Sequence, residues 1–330
     1  MNIEKRIDLL KKLGQYMQSD ETDWRIAQEQ ACNMNAWFTK ESVDLSVQNI
    51  VNQYLQPSLL KEWLSKYSLP VQAKKVGIIM AGNIPLVGFH DFICSFVCAH
   101  QQHIKLSSKD DILLRKLIGK LYEWEPNLHS EIFIADNLKN CESYIATGNN
   151  NSARYFEQYF GKYPHIIRRN RTSVAILEGN ETKNEFTELA NDVFSFFGLG
   201  CRNVTQLCVP KGYDFSLLLE SLKPFSSELM LHHKYKNNYD YYFAIYMLNK
   251  VPFLTNDSLM LVENELPFSA VSVLHFRYYT DMQQLAHDLE VSGNIQTIVG
   301  KGFTPFGAAQ IPSLSDYADG VDTMSFLCSI

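Results

Sequence analysis

The chain has 330 residues, 46% apolar and 20% charged, with a formal charge of −6. That length suits two packed domains or one large α/β domain with additions, and the composition excludes a disordered chain. The negative charge gives no electrostatic reason to expect nucleic acid or an anionic membrane as partner.

The first fourteen residues are charged throughout and lack the apolar stretch of a signal peptide. They pattern as an amphipathic helix, with Ile3, Ile7, Leu10 and Leu13 near one face. Helical texture continues to about residue 67, and Pro70 marks a boundary. No apolar run is long enough to span a bilayer. Seven cysteines in a chain this long make no disulfide framework, and without a leader they point to reduced thiols in a cytoplasm.

After residue 70 the pattern alternates. A buried strand is expected at 76–80, then a turn at Ala81-Gly82-Asn83, then a buried helix over 84–99. A strand at 103–106, a helix at 110–123, short strands at 131–135 and 143–146, and a helix at 151–160 follow. A second series has strands at 173–177, 204–209, 259–262, 271–276 and 296–299. Its helices are expected at 181–197, 215–222, 239–249 and 281–289, and the tail from Gly300 is turn-rich. Such alternation implies parallel sheets covered by helices.

Four turns stand where chemistry is placed in such folds. Cys201 lies in Phe196-Phe197-Gly198-Leu199-Gly200-Cys201-Arg202-Asn203, where nearby glycines permit a tight turn and Arg202 could favour a thiolate. The same cysteine also reads as a small buried loop residue. Gly82-Asn83-Ile84-Pro85 joins a strand to a helix, and Asn83 could donate to an oxyanion or simply turn the chain. Lys105-Leu106-Ser107-Ser108 suits a ribose or phosphate, or caps the next helix. Thr147-Gly148-Asn149 is a third strand-to-helix turn.

In order and rough spacing these turns resemble the aldehyde dehydrogenase superfamily. Gly82-Asn83-Ile84-Pro85-Leu86 is similar to its W-N-F-P-L turn, Lys105-Leu106-Ser107-Ser108 to K-P-S-E, and Ala146-Thr147-Gly148-Asn149 to F-T-G-S. Gly200-Cys201 partly matches G-Q-x-C. Glu265 with Phe268-Ser269-Ala270-Val271 resembles E-I-F-G-P-V, and Pro305-Phe306-Gly307 the late P-F-G-G. The run from Gly198 to Val204 and the tail from Asp316 to Thr323 look like the acyl-CoA reductase branch, related to the fatty-acid reductase of bacterial luminescence.

The resemblance covers about residue 70 to the end. It implies an aldehyde dehydrogenase-like α/β fold: a helical segment (1–70), a nicotinamide domain (71–170), a catalytic domain (171–300) and a tail (301–330) returning to the cofactor domain or an oligomer interface. It also implies Cys201 as nucleophile, Asn83 in the oxyanion hole, and Lys105, Ser107, Thr147, Gly148, Asn149 and Glu265 around NADPH or NADH. Glu263 is equally near the last role. The substrate implied is an acyl-CoA or acyl-carrier thioester, and a homo-oligomer is expected by analogy. A CoA-acylating aldehyde dehydrogenase running oxidatively would use the same residues, and a non-catalytic binding subunit could keep the fold.

One departure is informative. Hydrolytic members carry a glutamate in E-L-G-G-K that activates water. Here the corresponding stretch is Asn170-Arg171-Thr172-Ser173-Val174, with no carboxylate. Hydrolysis of a thioacyl enzyme needs that base, and reduction of a thioester does not.

Two further patterns admit sharper readings, and two do not. His90, Cys94 and Cys98 share a helix face as metal ligands would, although cysteine also packs well in an apolar helix. Arg168, Arg169 and Arg171 form a basic cluster that suits a phosphate or a solvated face. His232-His233 reads as a surface pair, and the aromatic run from Tyr239 to Phe243 as core or oligomer interface.

Overall fold

The computed structural model describes residues 1–330. The chain forms two compact units, Met1–Asn170 with Pro312–Ile330, and Arg171–Ile311. No helix is long and apolar enough to cross a membrane.

The first unit opens with four helices, α1 (Ile3–Met17), α2 (Thr22–Met34), α3 (Lys40–Tyr54) and α4 (Pro57–Leu64). Local signals set their ends. Asn2 caps α1, Thr39 and Ser42 form a capping box on α3, and Pro57 starts α4. The α1 stripe of Ile7, Leu10 and Leu13 is buried, as its spacing requires.

An α/β sandwich follows: β1 (Lys75–Ile79), α5 (Phe89–Val97), β2 (Gln101–Lys105), α6 (Ile112–Trp124), β3 (Ile132–Ile134), β4 (Ser143–Thr147), α7 (Asn150–Phe160) and β5 (His165–Arg168). The strands run parallel in the order β3-β2-β1-β4-β5. Val76, Ile78, Ile104 and Ile145 are fully buried, because helices cover a parallel sheet on both faces.

The second unit contains β6 (Thr172–Ile176), α8 (Lys183–Phe194), β7 (Val204–Pro210), α9 (Ser216–Leu222), α10 (Ser226–Leu231), α11 (His233–Asn249), β8 (Leu254–Thr255), β9 (Met260–Glu263), β10 (Val273–Tyr279), α12 (Met282–Val291) and β11 (Ile295–Val299). Its sheet order is β11-β6-β7-β10-β9-β8, parallel except for the β8–β9 pair. The final helix, α13 (Thr323–Ser329), belongs to the first unit, where it packs against α5. Tyr317 anchors this tail through bonds to Trp63 Nε1 and the Tyr67 hydroxyl, and His100 Nε2 donates to the Leu327 carbonyl.

Two helices are shorter than their hydrophobic patterns predict. The helix expected over 84–99 begins at Phe89. Leu86 is left-handed at φ 56, and the residue before Pro85 is steered away from helix. The helix expected over 181–197 ends at Phe194, where Phe196 and Phe197 turn left-handed. β5, β8, α10 and α13 had no sequence expectation; each is too short to establish a period.

Candidate active site

In the first unit the strand order reverses between β1 and β4. Ligands of open α/β sheets bind at the carboxyl ends of the strands flanking such a switch point. The Gly82-Asn83 turn follows β1 and the Thr147–Asn149 turn follows β4, so both flank it. Lys105 and Ser107 follow on β2, the neighbouring strand. The Asn83 and Lys105 residues are exposed, and Ser107 and Thr147 half-buried.

The turns after β1 and β2 are locked together. A Cβ on Gly82 would lie 2.5 Å from Ser107 Oγ and 3.1 Å from the Asp110 nitrogen, so only glycine allows this approach. Asp110 Oδ2 accepts the Leu86 N–H at 2.7 Å and so holds the far end of the Asn83 turn. Burial pushes the Asp110 carboxyl up to about 7, with Asp111 adding to the rise. Its other oxygen, Oδ1, has no hydrogen-bond partner within the chain.

A raised carboxyl pKa means that the folded state holds the proton more tightly than the unfolded chain does. The carboxyl therefore supports the fold below the unfolded pKa near 4, and loses that support as pH rises through about 7. Asp110→Asn keeps an acceptor for the Leu86 N–H and removes the ionisation. Denaturant unfolding should find it close to wild type at about pH 4 and more stable by a few kcal/mol at about pH 8. An equal stability difference at both pH values would refute this.

The β4 turn differs in detail from its expected role. A Cβ on Gly148 would meet Phe156 and Ser152 at 2.9 Å, so α7 packing requires this glycine, whatever lies outside. Asn149 caps α7, accepting the Ser152 N–H at 2.8 Å. What this turn presents is the N-terminus of an eleven-residue helix at the end of β4, where anions are favoured.

In the second unit Cys201 is half-buried and precedes β7, at the amino ends of β6 and β7. The chain reaches it through three left-handed residues, Phe196 (φ 53), Phe197 (φ 57) and Gly198 (φ 78). Each phenylalanine stores about 1–3 kcal/mol of backbone strain, a feature common at active sites. The Phe197 ring is stacked on His232, with centroids 4.2 Å apart. His232 also caps α11 through its side chain, so it has a packing role that the sequence does not announce. Ser173 Oγ donates to the Cys201 carbonyl at 3.0 Å, and Arg202 reaches Thr297 Oγ1 at 3.1 Å.

The loop after β9 is drawn to the same edge. Thr205 Oγ1 donates to the Pro267 carbonyl at 2.6 Å, and Gln206 Nε2 to the Asn264 carbonyl at 2.8 Å. His275 Nδ1 donates to the Leu266 carbonyl at 2.8 Å. Glu265 lies in this loop beside Arg277, which pairs in register with Cys208 in the later half of β7. Its carboxylate is 80% exposed and lies 3.7 Å from Arg277. The Pro305-Phe306-Gly307 turn is held by Asp192, whose two oxygens accept the N–H groups of Gly307 and Ala309 at 2.7 and 2.9 Å. Asp192 is fully buried, and burial pushes its carboxyl up to about 6.

The sharper readings of two patterns fail. Arg168 is buried in an ion pair with Asp91 and bonds Thr323 Oγ1 at 2.8 Å, so it is not offered to a phosphate. Arg169 pairs with Glu157 on the surface, and Arg171 donates to the Ile295 carbonyl. His90 bonds the Leu314 carbonyl. The Cys98 thiol is pushed up by its hydrogen bond to Cys328 and by burial, and the Cys94 thiol by burial; both shifts oppose the thiolates that a metal needs. No group of three or more His, Cys, Asp or Glu residues forms a metal-ligand set.

No protein-family model and no curated protein matches this sequence. Solved structures do. An aldehyde dehydrogenase of Physcomitrella patens, in complex with the product succinate, is 11% identical with a TM-score of 0.66, over 91% of this chain and 74% of that one. Aldehyde dehydrogenase from Bacillus cereus is 12% identical with a TM-score of 0.64, over 91% and 72%. The NADP-dependent glyceraldehyde-3-phosphate dehydrogenase of Bacillus halodurans, complexed with NADP, is 12% identical with a TM-score of 0.63, over 91% and 74%. At such identities the likeness defines the fold: this chain has the aldehyde dehydrogenase fold.

Proposed function

We propose that this protein is an NAD(P)H-dependent oxidoreductase that reduces an acyl thioester, acyl-CoA or acyl-carrier, to an aldehyde through a thioacyl intermediate on Cys201. One observation carries the thioester reading. The stretch where hydrolytic relatives place their glutamate base begins β6, and its Ser173 is hydrogen bonded to Cys201. A neutral hydroxyl there is no carboxylate base for water.

The first unit suits a dinucleotide. Its switch point, the exposed Lys105, the Ser107 hydroxyl and the N-terminus of α7 supply the donors that a ribose and a pyrophosphate need. Lys105 and Ser107 would hold the adenosine side, and the Thr147–Asn149 turn with α7 the phosphates. Glu265 would orient the nicotinamide ribose, with Glu263 the alternative. The bound cofactor supplies the two electrons of the reduction.

The chain's own residues do the rest. The Cys201 thiolate attacks the thioester carbonyl carbon and forms a tetrahedral adduct. By the resemblance, the Asn83 amide and the Cys201 N–H would donate to its oxyanion. The CoA or carrier thiolate leaves and the acyl group remains on Cys201. After reduction, collapse of the Cys201 thiohemiacetal releases aldehyde and regenerates the thiolate. The same residues would serve acylation of CoA in the opposite direction.

A homo-oligomer is part of this reading. The exposed side of α11 carries Tyr241, Phe243, Met247 and Leu248 beside the edge strand β8, whose Leu254 is exposed. Apolar surface concentrated in this way marks an association face. Replacing Met247 and Leu248 by glutamate should lower the molar mass measured by light scattering to that of a monomer. An unchanged mass would place any interface elsewhere.

The test of the function follows NADPH, then NADH, with short to long acyl-CoAs, and reads acyl adducts by intact mass. Thioester-dependent oxidation with an adduct on Cys201 supports the reading. Neither oxidation nor adduct, with acyl-CoA or acyl-carrier, would leave a non-catalytic protein that kept the fold.

A further inference from the structure

We infer that Asn203 is the positioning residue of the nucleophile, fixing the Cys201 turn to the end of α8. The inference rests on the reading of Cys201 as nucleophile and adds the group that aims it. Asn203 is fully buried and lies two residues after Cys201. Its Oδ1 accepts the N–H of Gly200 at 2.7 Å. Its Nδ2 donates to the carbonyls of Ser195 at 2.8 Å, Asp192 at 3.0 Å and Val193 at 3.4 Å.

Those three carbonyls are the problem that Asn203 solves. The last carbonyls of a helix have no partner inside it, and α8 ends at Phe194 without a glycine cap. The chain then turns through two left-handed phenylalanines, a conformation that persists only when its surroundings enforce it. One amide satisfies both needs. It donates to the helix end before the strained turn, and it accepts from the backbone on the far side, next to Cys201. A carboxylate would supply the acceptor without the donors, and a serine is too short to span the gap.

The other attachments agree. Ser173 holds the Cys201 carbonyl, and the Ser173 N–H donates to the Asn203 carbonyl at 3.1 Å. Asp192, whose carbonyl Asn203 uses, ties the Pro305–Gly307 turn through its carboxylate. The end of α8 thus fixes two of the turns that the resemblance singles out. Asn203 touches no reacting atom in this arrangement; it acts through the backbone of Cys201.

The test uses the full chain as Asn203→Ala, Ser173→Ala and the double variant. Two rates are read: thioester-dependent NAD(P)H oxidation, and alkylation of Cys201 by iodoacetamide followed by peptide mass. Misplacing a reacting group by about 1 Å costs on the order of 10²-fold, so Asn203→Ala should lose about that much in kcat. Its thioester KM, cofactor affinity and circular dichroism should stay those of wild type, and Cys201 alkylation should slow. Ser173→Ala, nearly isosteric, should keep the wild-type circular dichroism and show a smaller loss. The double variant should lose less than the product of the single losses, because both residues hold one turn.

Wild-type kcat and alkylation in Asn203→Ala would overturn the proposal. So would losses that merely track unfolding, or independent losses in the double variant. If wild type oxidises no cofactor with any thioester, yet Asn203→Ala slows alkylation, the positioning role stands and the thioester reading falls.

Discussion

Replacing Cys201 by alanine should abolish thioester-dependent oxidation of NAD(P)H and leave cofactor binding intact. The variant removes the atom that bonds to the acyl carbon, so no downstream step survives. The switch point, Lys105, Ser107 and α7 all lie in the first unit and do not depend on Cys201. Titration of the nicotinamide fluorescence should therefore give the wild-type dissociation constant. Asn83→Ala is the graded counterpart. Losing one oxyanion donor costs about 10²–10³ in kcat, and acyl adducts should still form, slowly, on Cys201. Oxidation that persists in Cys201→Ala would remove the covalent mechanism. Equal loss of cofactor binding would mean that the substitution damaged the fold.

How far such a site can be read from the chain depends on which forces define it. The strands and most helices follow hydrophobic period, and Val76, Ile104 and Ile145 are buried where the apolar runs place them. Gly82 and Cys201 were legible as turn residues, because glycine and its neighbours mark the backbone locally. What fixes those turns was not. Asp110 and Asp192 act across the fold, hydrogen bonding backbone that only the tertiary structure brings near, and Asn203 bridges the two sides of a strained turn that no period reveals. Asp192 sits inside a helix and looks like any solvated acid. Asn203 was visible only as part of a motif, without a reason. The left-handed pair Phe196-Phe197 even argued for more helix, since both residues extend the apolar pattern. Period reports which face is buried; it does not report where buried hydrogen bonds overrule it.

The basic cluster shows the same limit with a larger energy at stake. In sequence Arg168 is one of three neighbouring cations, and nothing separates it from Arg169 or Arg171. In the fold it is the last residue of β5, buried against Asp91 of α5, with its second nitrogen on Thr323 of α13. Its first nitrogen also lies 3.5 Å from Thr147 Oγ1, in the turn proposed to hold the cofactor. Arg168→Leu would leave the Asp91 carboxylate buried without its cation. Breaking such a pair from one side costs about 3–5 kcal/mol, much of what holds a typical domain folded. Denaturant unfolding of Arg168→Leu should therefore show a midpoint far below wild type, with α13 exchanging its amide hydrogens sooner than α5. Removing both charges is a different experiment. Arg168→Met with Asp91→Leu deletes the buried charges together, and stability should return to near wild type. If the double variant stays as unstable as the single one, the pair is not the source of the loss. The Thr323 and Thr147 contacts would then carry it, and the tail would be held by its hydrogen bonds and not by the charge of Arg168.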